Sequence, residues 1–205
     1  MRLSKDDTVG LIYAGGRATR MGGVNKAFVK FEGRCLIEHV VERLRPQCAG
    51  IVISANRDLS DFSRLADAVL PDVLSDFPGP LAALDAMARA AMPNCEWVLT
   101  VPCDAPRCPA DLFERFSAAW CAAEEKPAVL IAEAAGWAQP AFALIHRSVL
   151  GGALHYLRKE GNRLGGFLKN CGAMTVDFGD EEGGFINLNS FDECRAAEMK
   201  FPLDK

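Results

Sequence analysis

The sequence is short of the features that mark several large functional classes. No run of apolar residues approaches the roughly 18 that a membrane-crossing helix requires. The opening stretch from Met1 to Asp7 carries charge with no apolar run behind it, so no secretory signal is expected. Basic charge is not in excess. Lysine and arginine number 23 against 27 aspartates and glutamates, a formal net charge of −4, which argues against a general nucleic-acid binder. Eight cysteines contain no CxxC pair, and Cys103 with Cys108 is the nearest approach to a cluster. That spacing alone does not make a zinc site, so reduced structural thiols in a cytoplasmic protein are expected. Three histidines (His39, His146, His155) form no metal pattern. There is no internal repeat, low-complexity tract or long linker, and neither a nucleic acid nor a membrane is expected as a partner.

What is present is alternation. The chain has 205 residues, half of them hydrophobic, enough for one domain with a substantial core. Thr8 to Ala14 is a short apolar run ending in Gly15-Gly16, as a buried strand feeding a loop would be. Leu36, Ile37, Val40, Val41 and Leu44 share one helical face, which Pro46 closes. Strands are expected at 50–54, 68–70, 97–101, 128–133 and 141–145. Helices are expected at 81–92, 110–123 and 148–159, and a last one from Phe191 capped by Ser190 or Asn189. Strands alternating with helices predict a three-layer α/β/α sandwich with a mostly parallel central sheet. In such sheets ligands bind beyond the carboxyl ends of the strands, where the polar clusters of this sequence fall.

The first cluster runs from Gly15 to Lys26. Two Gly-Gly pairs, Gly15-Gly16 and Gly22-Gly23, allow sharp bends and close backbone approach to a ligand, and inward N–H groups make a nest for phosphate oxygens. Arg17, Arg20 and Lys26 add three positive charges with no acid between them. The loop is not a P-loop, since Asn25 precedes Lys26 and Ala27 follows it, and GxGxxG is absent. A solvated basic surface loop is the bland alternative. Asp104 follows Val101-Pro102-Cys103 at a strand end, where a lone aspartate is commonly a turn residue or can bridge Mg²⁺ to a phosphate.

The string Gly15-Gly16-Arg17-x-x-Arg20-Met21-Gly22-Gly23-Val24-x-Lys26 resembles the signature loop of the molybdenum cofactor guanylyltransferases, members of the GT-A-like nucleotidyltransferase superfamily. Pro102-Cys103-Asp104-x-Pro106, Asp72 with Asp76-Phe77-Pro78-Gly79-Pro80-Leu81, and Phe185-Ile186-Asn187-Leu188-Asn189-Ser190 resemble further segments of that family. The likeness spans roughly residues 8–195.

It implies a GT-A-like fold in one domain over 1–205, with a nucleotide-binding half at about 8–110 and an acceptor-binding half at about 111–200. It also implies transfer of GMP from GTP to molybdopterin carrying molybdenum, with Mg²⁺ as cofactor. Implied protein partners are a molybdenum-insertion protein and recipient molybdoenzymes. By resemblance Arg20, Lys26 and Asp104 are catalytic. Tyr13, Ala14, Gly15, Gly16, Lys26, Ser54, Asp72 and Asp104 meet the nucleotide; Gln139, Arg163 and Asn187 meet the acceptor. Asp104 and Asn187 hold the metal, and Asn189 is the cap of the last helix.

Two positions depart from the family pattern. Tyr13 stands where leucine is usual, and Ser54 where asparagine is usual, so base recognition there changes or shifts to Asn56. The rivals are a cytidylyltransferase of the same cofactor, a non-catalytic protein that carries or hands over the cofactor, and a scaffold with an incidental anion site.

Overall fold

The computed structural model describes residues 3–15, 25–72, 79–92, 95–181 and 183–200. Its strands are β1 (Thr8–Tyr13), β2 (Lys30–Phe31), β3 (Arg34–Cys35), β4 (Gly50–Ser54), β5 (Ala68–Leu70), β6 (Trp97–Pro102), β7 (Val129–Ala134), β8 (Trp137–His146) and β9 (Met174–Asp177). Its helices are α1 (Leu36–Leu44), α2 (Leu59–Phe62), α3 (Pro80–Arg89), α4 (Leu112–Ala122), α5 (Arg147–Leu150), α6 (Ala153–Lys159), α7 (Leu164–Asn170) and α8 (Phe191–Lys200).

Seven strands form one sheet in the order β5-β4-β1-β6-β8-β7-β9. Only β8 runs antiparallel to its neighbours. Alternation along each strand sends side chains to two separate cores. Ile12, Ile51, Ile53, Leu99, Val101 and Leu130 face α1 and α4, meeting Ile37, Val40, Leu44, Leu112 and Phe116. Leu11, Val52, Val98 and Ile131 face the other way onto α3, α6 and α7, through Leu84, Met87, Leu157 and Phe167. The result is the expected three-layer α/β/α sandwich with a mostly parallel sheet. Gly10 lets α1 sit close to β1: a Cβ there would lie 2.8 Å from Leu44 Cδ2 and 2.9 Å from Ile51 Cδ1.

Some elements differ from the sequence expectation. The helix expected at 148–159 is two, α5 and α6, parted at Gly151-Gly152, a pair of low helix propensity that keeps right-handed dihedrals but tightens to an i−3 bond, Gly152 N donating to Val149 O at 3.1 Å. β8 reaches back to Trp137 because it pairs with β7 through a tight turn at Ala135 (φ 52°) and Gly136 (φ 77°). The hairpin β2–β3 turns at Glu32 (φ 49°) and Gly33 (φ 80°), the left-handed pair that a two-residue hairpin loop requires. The last helix begins as expected, with Ser190 Oγ accepting from Glu193 N at 3.1 Å.

Between β9 and α8 the chain doubles back under an aromatic cluster. Phe178 N donates to Glu133 O (2.8 Å), and its ring packs edge-on against Phe116 and Phe185, at centroid distances of 5.4 and 5.5 Å. Phe185 in turn meets Phe142 at 4.8 Å. This packing carries residues 185–190 to the carboxyl edge of the sheet. All eight cysteines are free thiols; burial pushes Cys103 and Cys108 up to about 12. Among the described residues no helix is long and apolar enough to cross a membrane.

Candidate active site

Strand register sets the site. Tyr13 pairs with Ser54 on one side and Pro102 on the other, and Ser54 pairs with Leu70. Leu70, Ser54, Tyr13 and Pro102 therefore form one row across the carboxyl edge of four parallel strands. Two residues beyond each member of that row come Asp72, Asn56, Gly15 and Asp104. Four separate stretches of sequence thus deliver a carboxylate, an amide, a glycine and a second carboxylate to one rim. The antiparallel β8 brings its amino end to the same rim, and with it Gln139.

Asp72 is clamped. Its carboxylate accepts from Ser54 Oγ (3.1 Å) and Asn56 Nδ2 (2.7 Å), while its own N–H donates to Asn56 Oδ1 (2.8 Å). Burial raises its pKa, and the hydrogen bonds from Asn56 and Ser54 pull the other way. Gly15 lies against this clamp, since a Cβ there would be 3.4 Å from Asp72 Oδ2 and 3.6 Å from Asn56 Nδ2. Ser54, where base recognition was expected to change, and Asn56, to which it was expected to shift, are both occupied in holding Asp72.

A carboxylate with a raised folded pKa contributes stability below the ordinary aspartate value of 3.8, and that contribution is lost as pH rises through the folded value. Urea unfolding of the wild type and Asp72→Asn across this range is expected to show the wild type losing its relative advantage as pH climbs. Parallel curves would mean that burial does not govern this group.

Asp104 meets Lys26 directly, with Oδ2 accepting from Nζ. Lys26 Nζ also donates to Asn189 Oδ1 at 2.7 Å. Lys26 opens a short 3-10 turn whose cap is Asn25, where Oδ1 accepts from Ala27 N (3.2 Å) and Ala27 is fully buried. Asn25 Nδ2 reaches Asp58 Oδ2 at 2.8 Å, tying this segment to the loop after β4. The main chain of Asp104 is fixed too, its carbonyl accepting from Leu188 N at 2.9 Å.

The second carboxylate oxygen, Oδ1, is buried and has no hydrogen-bond partner among the described residues. An orphaned carboxylate oxygen beside a lysine suits a hard cation. Among the described residues no three His, Cys, Asp or Glu side chains cluster as a metal cage. A lone carboxylate oxygen of this kind would suit Mg²⁺, which takes one or two carboxylates and fills its shell with water and phosphate oxygens.

The remaining expected residues fall as follows. Tyr13 turns its side chain into the α3 face of the core, where burial pushes the phenol up and Thr100 offsets it only in part. What residues 13–15 offer the rim is therefore main chain, and Ala14 N already donates to Ser54 O at 2.9 Å. Gln139 lies in β8, its Nε2 donating to Trp137 O (3.4 Å), and exposed Arg163 precedes α7. Both flank one seam, for a Cβ on Gly165 would sit 3.0 Å from Pro140 Cγ. Neither side chain bonds to Lys26 or Asp104 among the described residues.

Asn187 is exposed, and its carbonyl accepts from Asn189 Nδ2 (3.0 Å). The side chain that reaches the lysine is that of Asn189, expected only as a cap, and Ser190 takes the capping role. A sequence signal existed in the Asn187-x-Asn189 spacing, but it does not say which amide faces inward. Gly16, Arg17, Arg20, Met21 and the Gly22-Gly23 pair lie outside the described residues, as do Asp76 to Pro78.

The sequence matches the MobA-like NTP transferase domain over residues 10–172. It is 38% identical to the molybdenum cofactor guanylyltransferase of Vibrio parahaemolyticus, over 93% of this chain and 95% of that protein. Identity to the protein of the same name from Photobacterium profundum is 36%, over 94% of this chain and 96% of the relative. The fold is also that of the molybdopterin-guanine dinucleotide biosynthesis protein A of Archaeoglobus fulgidus, with a TM-score of 0.73 at 18% identity, covering 94% and 97% of the two chains. A carboxylate rim on a parallel sheet, a lysine set against it and these likenesses agree: the chain belongs to the MobA-like NTP transferase family of nucleotidyltransferases, alongside the molybdenum cofactor guanylyltransferases.

Proposed function

We propose that this protein transfers GMP from GTP to the terminal phosphate of molybdenum-loaded molybdopterin. An acceptor phosphate oxygen attacks the α-phosphorus of GTP, the bond from that phosphorus to the β-phosphate bridging oxygen breaks, and pyrophosphate leaves. The observation that carries the reading is the rim itself: Asp72, Asn56, Gly15 and Asp104 aligned beside Lys26, in a chain 38% identical to a named guanylyltransferase.

A phosphomonoester has its second pKa near 6, so the acceptor is largely ionised at neutral pH and needs no strong general base. The histidines suit that view. His39 Nε2 is engaged with Phe31 O (2.8 Å), and His146, with Nδ1 beside Ser148 Oγ (2.8 Å), ends β8 at the opposite edge of the sheet. The residues therefore act by positioning and charge. Lys26 and Arg20 neutralise the leaving pyrophosphate, and the glycine amides of 15–16 and 22–23 cradle it. Tyr13 and Ala14 contribute main chain to the nucleotide, and Ser54 holds Asp72 towards it.

Asp104 would hold Mg²⁺, with an amide oxygen of the 187–189 segment as second donor, Asn187 having been the one expected. When bound, the metal supplies Lewis-acid stabilisation of phosphoryl charge. Gln139, Arg163 and Asn187 are assigned to the acceptor, and residues 8–110 and 111–200 to the nucleotide and acceptor halves. Eight free thiols fit a reducing compartment such as the cytoplasm. Recipient molybdoenzymes are the natural destination of the product.

The test is pyrophosphate release with Mg²⁺ from GTP and, separately, CTP, with and without the molybdenum-loaded acceptor. Release from GTP that depends on the acceptor is expected. A preference for CTP would keep the chemistry and overturn the base. Nucleotide binding without release from either would favour the handover protein.

A further inference from the structure

Lys26 is held from two sides. Its ammonium sits on Asp104 Oδ2 and on Asn189 Oδ1 (2.7 Å), and neither partner is loose. Asn189 is fixed through its own N–H to Glu193 Oε2 (2.5 Å) and through Nδ2 to Asn187 O (3.0 Å). The preceding residue, Leu188, is only 2% exposed, packs with Val29, Phe31 and Leu36, and donates its N–H to Asp104 O. The Asp104 side chain is 13% exposed and that of Lys26 24%, so water screens this pair less than a surface ion pair.

The oxygen that Lys26 holds belongs to the same carboxylate whose other oxygen is buried and, among the described residues, without a partner. An ammonium and a divalent cation on one carboxylate repel each other at contact distance. Pulling the ammonium off that carboxylate is costly unless a second anion receives it, and Asn189 is neutral. The triphosphate of a nucleotide is such an anion.

We propose that Lys26 is the resident counter-cation of Asp104 and gives that carboxylate up to a divalent metal only when the nucleotide's phosphates draw the lysine away. This rests on the reading of Asp104 as metal ligand and Lys26 as phosphate ligand. Its consequence is a coupling: metal alone binds poorly, nucleotide strengthens metal binding, and metal strengthens nucleotide binding by the same factor. The device keeps the metal seat neutralised between turnovers and ties metal loading to the arrival of substrate.

Mn²⁺ serves as the probe, with its free signal followed by electron paramagnetic resonance during titration of the full chain. The proteins compared are the wild type, Lys26→Met, Lys26→Gln, Asp104→Asn and the double variant Lys26→Met with Asp104→Asn. The nucleotide is a GTP analogue with a methylene between its α- and β-phosphorus atoms. Without nucleotide, both Lys26 variants are expected to bind Mn²⁺ roughly tenfold tighter than the wild type, a coupling of ordinary size. Asp104→Asn in the Lys26→Met background is expected to abolish the gain.

If both Lys26 variants bind Mn²⁺ no tighter than the wild type, while the analogue still promotes an Asp104-dependent site, the exchange is wrong and the functional reading stands. If Asp104→Asn leaves Mn²⁺ binding in the presence of the analogue unchanged, Asp104 is not the metal ligand. The reading and the exchange then fall together.

Discussion

Asp104→Ala is expected to leave a folded protein whose turnover falls by about 10³-fold or more, or about 4 kcal/mol of transition-state stabilisation. The two halves of this expectation have separate grounds. Folding survives because, among the described residues, the side chain's one hydrogen-bonding partner is Lys26, while the bond from Leu188 N to the Asp104 carbonyl belongs to the main chain and is kept. Turnover collapses because no other carboxylate of the described rim meets Lys26; Asp72 is committed to Ser54 and Asn56. Steady-state kinetics together with a melting curve check both. Activity within tenfold of the wild type would remove Asp104 from the mechanism. A melting temperature far below that of the wild type would mean that the Lys26 pair is structural.

Phe178→Ala is expected to cost about 3–5 kcal/mol of stability, as deletion of a buried aromatic ring does. For a chain of this size that is a fall of about 6–20 °C in melting temperature. Phe178 is fully buried between Phe116 and Phe185, with the Arg115 guanidinium 4.1 Å from its ring centroid. The ring also leads the chain from β9 towards Leu188 and Asn189. Loosening it should therefore raise the KM for nucleotide even well below the melting temperature, although the residue never approaches the rim. A variant that melts early with unchanged KM would separate the aromatic cluster from the positioning of Lys26. An unchanged melting temperature would contradict the packing account altogether.

The sheet was legible because its signals are local. Apolar runs such as Ala68 to Leu70 and Trp97 to Val101 have few other ways to be buried, and the strand-end aspartates Asp72 and Asp104 follow these two runs closely. Asp104 could be placed at the carboxyl edge from that alone. The clamp on Asp72 was not legible. It needs β4 and β5 to pair in the register that sets Ser54 opposite Leu70, and nothing within either strand fixes that pairing.

Asn189 was harder still. It lies 163 residues from Lys26, and its capping neighbourhood supplies a sufficient local reason for an asparagine there. The short hairpin β2–β3 escaped because two-residue strands carry no period. The amino half of β8 escaped because Trp137-Ala138-Gln139-Pro140 lacks the β-branched residues that announce a strand. Tyr13 shows the opposite case. A departure from the family pattern at a rim position adds no side chain to the rim, because that side chain belongs to the core.

The central claim, transfer of GMP to a phosphorylated pterin, is tested most directly by following the α-phosphate. GTP labelled at that position is incubated with the protein, Mg²⁺ and molybdenum-loaded molybdopterin, and the products are separated. The account predicts label in a dinucleotide that contains the pterin, with one pyrophosphate formed for each GMP transferred. Label remaining in GTP, or released as free GMP while the pterin stays unlabelled, would contradict it.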